Sequence, residues 1–454
     1  MSKRLVSMLL CVAMVLTMLT GCGGSKAKEE TVAPADDAAK QEVETKNSEE
    51  IDLGEKIVFW HSWSGYEEEF LRKLADEYTA EKGVEVELLQ TKDFTTVLTA
   101  ISGGTPPDLL MMSDMSRAYE LASSGALMPL ADFMERDGIS EDIFLDTAIQ
   151  SGYFDGTLYA LPHMGFCDGL YWNKDLFEEA GLDPNSPPKT AEEMLEFANK
   201  LNKVDADGNI IQLGYAPGYS GHHMQTNASF VKVFNGSVYD ETTGQYTLTD
   251  PGIVSAFKWQ QQFNKDLDPQ AVANFIASAG AGLTAEDLFF SGKVAMAVSG
   301  CWVGSFLNRI VPDLDYGVTA IPASEENTEW PDGIIGIAYN PHCIPTESSN
   351  PEGAWDFMKY MIMNKETVAR FSDVSANLSH LKDTDTEFTS ELLESDYFKT
   401  FDKISKTSAC YMMPIIPKMS EYSSKMGAIF EQAIMDQSTD VEALLEQAQN
   451  ELNQ

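Results

Sequence analysis

The sequence of 454 residues predicts an α/β fold built from two domains. Strand, helix and strand patterns alternate within about sixty residues of Lys56, which is typical of a parallel sheet with helices on its faces. The same alternation continues along the rest of the chain. A chain of this length exceeds what one ordinary hydrophobic core holds, which favours two domains.

The individual elements are predicted from the spacing of apolar residues, which recur with a period of two in strands and of 3.6 in helices. Predicted strands cover residues 56–60, 84–88, 108–112, 158–162, 168–172, 294–299, 316–321 and 334–339. Predicted helices cover residues 67–81, 174–180, 190–203, 250–265, 351–370 and 422–435.

The first 21 residues have the pattern of a secretory signal peptide. Lys3 and Arg4 precede an apolar run from Leu5 to Leu19, which is too short to span a bilayer comfortably. The run ends in Leu-Thr-Gly-Cys, which resembles the bacterial lipobox, whose cysteine receives a diacylglyceryl group. We therefore expect residues 1–21 to be removed and Cys22 to be lipidated, and the alternative is an uncleaved membrane helix.

Residues 22–51 are expected to form the acylated cysteine and a disordered tether. The stretch is rich in Gly, Ser, Ala, Lys and acidic residues and has almost no large apolar side chain to bury. The mature protein would then stand on the outer, extracytoplasmic face of the cell membrane, held there by its lipid anchor.

The formal net charge of −40 excludes whole classes of partner. Nucleic-acid binding requires positive charge to displace counterions, so no nucleic-acid partner is expected. The polypeptide itself should also avoid an anionic membrane surface, which leaves membrane attachment to the lipid.

Cysteine and catalytic motifs give little indication of chemistry. Cys167, Cys301, Cys343 and Cys410 have neither CxxC nor metal-ligand spacing, so we predict buried thiols, with a disulfide as the alternative outside the cell. No nucleophile elbow, Walker loop, HExxH or GxGxxG is present. The sequence therefore predicts no metal, no cofactor and no enzyme activity.

Eight short motifs occur in a fixed order from about residue 55 to the C-terminus. They lie at residues 59–63, 104–110, 124–130, 156–162, 170–182, 292–302, 316–322 and 413–420. In these motifs and in their order the chain resembles the family 1 extracellular solute-binding proteins, the maltose-binding-like sugar receptors of ABC importers. Each motif is weak alone, but the ordered set is specific.

The resemblance implies a two-lobed periplasmic-binding-protein-like fold of type II, with a hinge between the lobes and a ligand cleft at their interface. It implies chain crossings near residues 166–170, 319–322 and 374–379. Lobe one would then comprise residues 52–166 plus 322–374, and lobe two would comprise residues 167–321 plus 375–454. The expected function is to capture a carbohydrate, as a monomer, and to deliver it to the transmembrane subunits of an ABC permease.

A sugar site combines flat aromatic platforms with fixed hydrogen-bond donors and acceptors. The family's Gly-x-Trp element matches Trp302, with a core tryptophan as the alternative, and Asp114 follows a strand but could equally cap a helix. The full set of candidate ligand contacts is His61, Trp63, Asp114, His163, Asp168, Tyr219, His222 and Trp302.

Two departures from the maltose receptor limit what the resemblance implies. Ser64 stands where that receptor has a ligand-contacting lysine, and Ser423 stands where it has a stacking tryptophan. Maltose is therefore not assumed as the ligand.

Two other functions compete with sugar capture. The same receptor fold could bind a non-sugar solute such as an amino acid derivative, a polyamine or a metal ion. A secreted glycoside hydrolase would need two positioned carboxylates, which 71 acidic residues do not exclude.

Overall fold

The computed structural model describes residues 51–113, 115–219, 229–280, 282–407, 410–413, 416 and 418–454. The predicted signal peptide, Cys22 and nearly all of the predicted tether lie outside these residues, and so do Asp114 and His222. Within the described ranges, no helix combines the length and the apolar character needed to cross a membrane.

The strands of the described chain are short, with one exception of 13 residues. They are β1 (Lys56–His61), β2 (Glu85–Gln90), β3 (Leu109–Met111), β4 (Tyr153–Phe154), β5 (Thr157–Leu158), β6 (Leu161–Asn173), β7 (Lys203–Val204), β8 (Ile210–Tyr215), β9 (Tyr239–Asp240), β10 (Gln245–Tyr246), β11 (Val294–Gly300), β12 (Tyr316–Thr319), β13 (Ile335–Cys343) and β14 (Cys410–Met412).

Helices flank the strands throughout. They are α1 (Tyr66–Lys82), α2 (Phe94–Ser102), α3 (Met115–Ser123), α4 (Ala131–Asp137), α5 (Asp146–Ser151), α6 (Lys174–Glu179), α7 (Ala191–Leu201), α8 (Pro251–Gln260), α9 (Pro269–Ala277), α10 (Val303–Ile310), α11 (Pro351–Ile362), α12 (Lys365–Ser375), α13 (Glu391–Glu394), α14 (Asp396–Ser405), α15 (Met419–Met435) and α16 (Val441–Leu452). Residues 141–143 form a 3-10 turn, and residues 229–233 are also helical.

Ten of these strands form one mixed sheet in the order β2-β1-β3-β13-β6-β11-β8-β7, with β12 beside β6 and β14 beside β13. β1 pairs in parallel with β2 and β3, as the strand–helix–strand pattern predicts. The middle of the sheet is antiparallel, because β6 runs opposite to β13 and β11. The α/β class is therefore confirmed, with a mixed rather than a parallel sheet.

Two sequence-predicted segments differ from the structure for local reasons. The strands predicted at 158–162 and 168–172 are largely joined in β6, because the intervening residues 163–167 are extended and are also buried or half-buried. The helix predicted over 351–370 is two helices, since the Asn364 side chain accepts the backbone N–H groups of Glu366 and Thr367 and starts a new helix there.

Two large hydrophobic cores lie at opposite ends of β6. Core one surrounds β1, α1 and α11, with Phe59, Leu74 and Trp355 at its centre. Core two surrounds the other end, with Phe177, Phe257 and Phe430 among its buried residues. A third cluster, the junction cluster, contains Cys167, Tyr171, Tyr339, Leu378 and Phe401 and fills the space around the middle of β6 and β13.

Two segments run from one core to the other, and a third pairs with β6 between them. β6 has Leu161 and Met164 in core one and Leu170 and Trp172 in core two. β13 lies between Ile334 of core two and Ile344 of core one. The third segment pairs with β6, where Gly165 and Leu378 exchange backbone hydrogen bonds of 2.7 and 2.6 Å.

The second crossing occurs later in the chain than the resemblance implies. Ile321 and Ala323 pack in core two, and the Ala191 N–H donates to the Ala323 carbonyl at 2.9 Å. The chain therefore leaves core two along β13, not at residues 319–322. The other lobe limits, at residues 166 and 374, remain predictions.

The crossings share a distorted backbone. Met164 has a φ of 51° in the middle of β6, and the β6–β13 register shifts at Tyr339/Asn340. The His380 ring fixes this point, since its Nδ1 accepts the Met164 N–H at 3.2 Å and its Nε2 lies 2.8 Å from the Ile362 carbonyl. A non-glycine residue with positive φ indicates a locally constrained backbone, which suits a hinge.

Four histidines are fully buried in and around core one: His61, His163, His342 and His380. The His163 ring centroid lies 5.0 Å from that of His342 and 5.3 Å from that of His380. Burial lowers the pKa of His61 to about 4, that of His342 to about 3 and that of His380 to about 4, and it lowers the pKa of His163 as well. These rings are therefore neutral at pH 7.

Acidification should weaken the fold through these histidines. The unfolded chain takes up protons as the pH falls below about 6.5, whereas the folded chain does not until about pH 3–4, so the unfolding free energy falls over that window. His342→Gln removes one such group. In urea unfolding between pH 6.5 and 4.5, its free energy of unfolding should fall less steeply than that of wild type, by at most about 1.4 kcal/mol per pH unit. Identical slopes would contradict this account.

Candidate ligand-binding cleft

The middle of β6 carries a buried carboxylate in an apolar row. Along one face of the strand, Trp172 and Leu170 pack in core two, and the next residue on that face is Asp168. Asp168 is 1% exposed, and neither of its carboxylate oxygens has a hydrogen-bond partner among the described residues. Burial raises its pKa to about 7, because the low-dielectric surroundings disfavour the charged form.

Asp108 shows how the same chain treats a structural buried carboxylate. It is 2% exposed, and its two oxygens accept hydrogen bonds from the Val58 and Asn350 backbone and from the Ser348 and Ser349 hydroxyls, at 2.8–3.0 Å. Buried polar groups are normally satisfied in this way. The contrast marks Asp168 as a group whose partner is not part of the described chain.

Trp302 lies on the face of the sheet that carries Asp168. Gly300 is the β11 residue that pairs with Asp168, and a Cβ added at Gly300 would lie 2.1 Å from the Trp302 ring. Because paired residues point to the same face of a sheet, the ring covers the face that carries the Asp168 side chain. The ring also meets Phe166 edge to face at 6.2 Å, and both aromatic side chains are half-buried. We call Phe166, Asp168 and Trp302 the Trp302 cluster.

A second group of polar residues lies at the start of α1. The Lys92 ammonium donates to the Ser64 hydroxyl at 3.2 Å, so a cation from another loop lies beside the position where the maltose receptor has its lysine. Burial raises the pKa of Glu67 to about 7, although Lys92 opposes this rise. The Asn377 side chain, on the segment that pairs with β6, donates a hydrogen bond of 3.5 Å to the Glu67 carboxyl group.

One contact joins an element of core one to an element beside the Trp302 cluster. The Arg309 guanidinium, on α10, lies 4.7 Å from the centroid of the Tyr66 ring at the start of α1. Both side chains are exposed, so this cation–π contact contributes about 0.5–1 kcal/mol. It brings α1 and α10 together at the surface.

Three sequence-predicted contacts lie in core one and are not brought to the Trp302 cluster. His61 and His163 are fully buried, and Trp63 is 5% exposed. The Trp63 ring packs 4.6 Å from Phe371, centroid to centroid, because the chain turns inward after β1 ends at His61. The structure gives these rings packing contacts beneath the crossing strands.

Tyr219 has a different surrounding. Its hydroxyl donates to the Asp287 carboxylate and accepts the Phe289 N–H at 2.9 Å, and its ring packs against the junction cluster. Burial and Asp287 together raise the pKa of Tyr219. Its hydroxyl is thus already engaged, while the half-buried ring remains a candidate surface. Asp114 and His222 lie outside the described residues.

Four residues of these two groups were not predicted from the sequence as candidate contacts: Phe166, Glu67, Lys92 and Arg309. Phe166 could have been found, because strand alternation places it on the same face as Asp168. Lys92 and Arg309 could not, since they meet Ser64 and Tyr66 only through the fold. The four described cysteines are free thiols, and the described residues contain no group of His, Cys, Asp or Glu arranged to hold a metal ion.

Comparison with known proteins shows which family this chain belongs to. Residues 64–367 match the bacterial extracellular solute-binding protein family. The maltotriose-binding protein of Pyrococcus abyssi is 26% identical over 407 residues, which cover 87% of this chain and 82% of that protein. The sn-glycerol-3-phosphate-binding periplasmic protein UgpB of Shigella dysenteriae is 29% identical over 300 residues, which cover 62% of this chain and 64%, less than two thirds, of that protein.

Solved structures agree. The structure of CpMnBP1 with mannobiose bound superposes with a TM-score of 0.76 at 27% identity, covering 87% of this chain and 99% of that chain. The Thermus thermophilus maltotriose binding protein, at 20% identity and a TM-score of 0.66, shares the fold. The two-lobed, maltose-binding-protein-like fold of type II is thereby confirmed, and the chain belongs to the bacterial extracellular solute-binding protein family as a binding protein, not an enzyme.

Proposed function

We propose that this protein is a lipid-anchored receptor that captures a carbohydrate, most simply an oligosaccharide, in the cleft at the Trp302 cluster and delivers it to the transmembrane subunits of an ABC permease. The observation that carries the proposal is the juxtaposition of a half-buried tryptophan, a half-buried phenylalanine and a buried carboxylate that has no hydrogen-bond partner among the described residues. The aromatic rings offer flat surfaces to the apolar faces of a sugar, and the carboxylate can accept two of its hydroxyls.

The relatives support this ligand class. The Pyrococcus abyssi relative is named a maltotriose-binding protein, and structures of CpMnBP1 were solved with mannobiose and with mannotriose bound. The mannotriose complex is 28% identical to this chain with a TM-score of 0.75. These three ligands are the first to test here.

A phosphorylated solute is the second candidate, because a relative binds sn-glycerol 3-phosphate. The chemistry of the Trp302 cluster does not suit a phosphorylated ligand. A phosphate requires donors or cations at its oxygens, whereas Asp168 would place a second acceptor beside them. Lys92 and Arg309 are positively charged, but both already have other contacts. The Lys92 ammonium donates a hydrogen bond to Ser64, and the Arg309 guanidinium lies over the Tyr66 ring at the surface. A neutral solute rich in hydroxyl groups fits the cluster better.

Trp302→Ala should weaken carbohydrate binding while the fold survives. Loss of roughly 80–120 Å² of contact at about 25 cal/mol per Å² amounts to roughly 2–3 kcal/mol, or about 30- to 150-fold in affinity. Calorimetric titration with mannobiose, mannotriose and maltotriose measures the affinity, and thermal unfolding of the same sample measures the fold. Trp302→Phe keeps a smaller platform and should fall between wild type and alanine. Unchanged affinity with a sharply lower melting temperature would make Trp302 a core residue.

Gly300→Ala tests the same site without touching a ligand-facing group. The new methyl group would meet the Trp302 ring at 2.1 Å, so the ring must move, and we expect at least a tenfold loss of affinity. Gly427→Ala is the matched control, because nothing lies within 4 Å of a Cβ at that helical position. It should leave affinity unchanged. Equal affinities for the two variants would show that the ring position does not matter for binding.

Cys22→Ser tests the proposed anchor. The substitution removes the thiol that would carry the lipid, so the variant should leave the detergent phase in which the wild-type protein partitions. Triton X-114 partitioning of both proteins, expressed with their N-terminal residues in a bacterial host, is the measurement. Equal partitioning would exclude lipidation at Cys22.

A further inference from the structure

We propose that carbohydrate binding in this cleft is coupled to the release of one proton from the Asp168 carboxyl group. The empty site keeps this carboxyl partly protonated, and the ligand holds it ionised. This inference rests on the proposed function, because it assumes that sugar hydroxyls reach Asp168.

The geometry leaves the carboxyl uncompensated. Both oxygens are buried, and no hydroxyl, amide or cation of the described chain contacts them. Beneath the apolar Trp302 ring and between Phe166 and Leu170, an isolated negative charge is strongly disfavoured. The protonated form is the ordinary response of a carboxyl group in such a place.

The surrounding elements do not supply a compensating charge. Cys167 on β6 and Cys301, directly after the end of β11, are the nearest titratable side chains in sequence, and both pack in the junction cluster rather than on the face of Asp168. β14 contributes the Cys410 thiol and the Tyr411 hydroxyl, while Tyr171 on β6 donates its hydroxyl to the Gly300 carbonyl at 2.8 Å.

Two charged side chains on helices α10 and α1 contact residues other than Asp168. Arg309 on α10 lies over Tyr66, and Glu67 on α1 contacts Asn377. Accordingly, burial is the single cause of the raised pKa of Asp168, about 7, so a fraction of the empty molecules carries the proton at pH 7.

The ligand reverses this preference. Two sugar hydroxyls can each donate a hydrogen bond to one oxygen of the ionised carboxylate, and hydrogen bonds to an ionised acceptor are roughly twice as strong as neutral ones. The carboxyl O–H bond breaks, its electron pair stays on the oxygen, and the proton passes to the buffer. Because the bound state favours the ionised form, binding lowers the pKa of Asp168, and the affinity must rise with pH.

The sign and range of the effect follow by linkage. Below pH 7 each unit of acidification should weaken binding by up to tenfold, until the pKa of the bound state is reached. Above about pH 8 the carboxyl is ionised in both states, and the affinity should level off. Among the described residues, Glu67 is the one other carboxyl with a pKa raised to about 7, so the two must be separated by substitution.

The test is calorimetric titration at pH 7.0 with whichever of mannobiose, mannotriose and maltotriose binds most tightly. Repeating the titration in buffers of different ionisation enthalpy gives the number of protons released. Wild type should release a measurable fraction of a proton per ligand at pH 7.0 and a smaller fraction at pH 8.5. Asp168→Asn should bind with no release, and Glu67→Gln should keep the release.

Each possible result either supports or overturns the proposed coupling. No proton release by wild type while the sugar binds overturns the coupling and leaves the proposed function standing, as does release that persists in Asp168→Asn. If Asp168→Asn binds too weakly to measure, the wild-type affinity between pH 5.5 and 8.5 decides, and a flat profile overturns the coupling. Failure of all three glycans to bind overturns the carbohydrate proposal and the coupling with it.

Discussion

The structure depends on one strand that has to be buried along its whole length. β6 belongs to core one at Leu161 and to core two at Trp172, and 12 of its 13 residues are buried. A strand buried on both faces must bond its backbone to neighbours throughout, and β13, β11, β12 and the residues around Leu378 provide those bonds. Both cores and the space between them are therefore positioned by the same 13 residues.

Burial along β6 acts differently on two of its polar side chains. At His163 it keeps the imidazole neutral among aromatic rings, although neither ring nitrogen has a hydrogen-bond partner among the described residues. At Asp168 it leaves a carboxyl group without a hydrogen-bond partner among the described residues, on the face that also carries the half-buried Trp302 and Phe166. A neutral imidazole tolerates apolar packing better than a carboxylate does. The same removal from water therefore leaves His163 as a packed ring and makes Asp168 the group that we propose binds the ligand.

Structural features that depend on local sequence could be predicted from sequence patterns. The strand at Lys56–His61 and the helix over Tyr66–Lys82 follow from apolar spacing, and the family motifs indicated the two-lobed fold. Trp302 and Asp168 were named from their positions, but only the β11–β6 register shows that they share a face. Trp63 looked like a loop aromatic and is packed on Phe371, because burial of a loop residue depends on a helix some 300 residues away. The Lys92–Ser64 contact is likewise invisible to any local pattern.

Because Asp168 has no hydrogen-bond partner among the described residues, it restricts which ligands would suit the proposed site. A buried polar group without a partner costs about 1–3 kcal/mol, and a ligand recovers that free energy only if it supplies donors at the right place. An apolar solute would stack on Trp302 but leave the carboxyl unsatisfied, and an anion would repel its charged form. A polyhydroxylated solute meets both demands, since it has C–H faces for the rings and hydroxyls for the carboxylate. In the proposed site, selectivity would therefore arise from this unmet hydrogen-bonding requirement as much as from aromatic stacking.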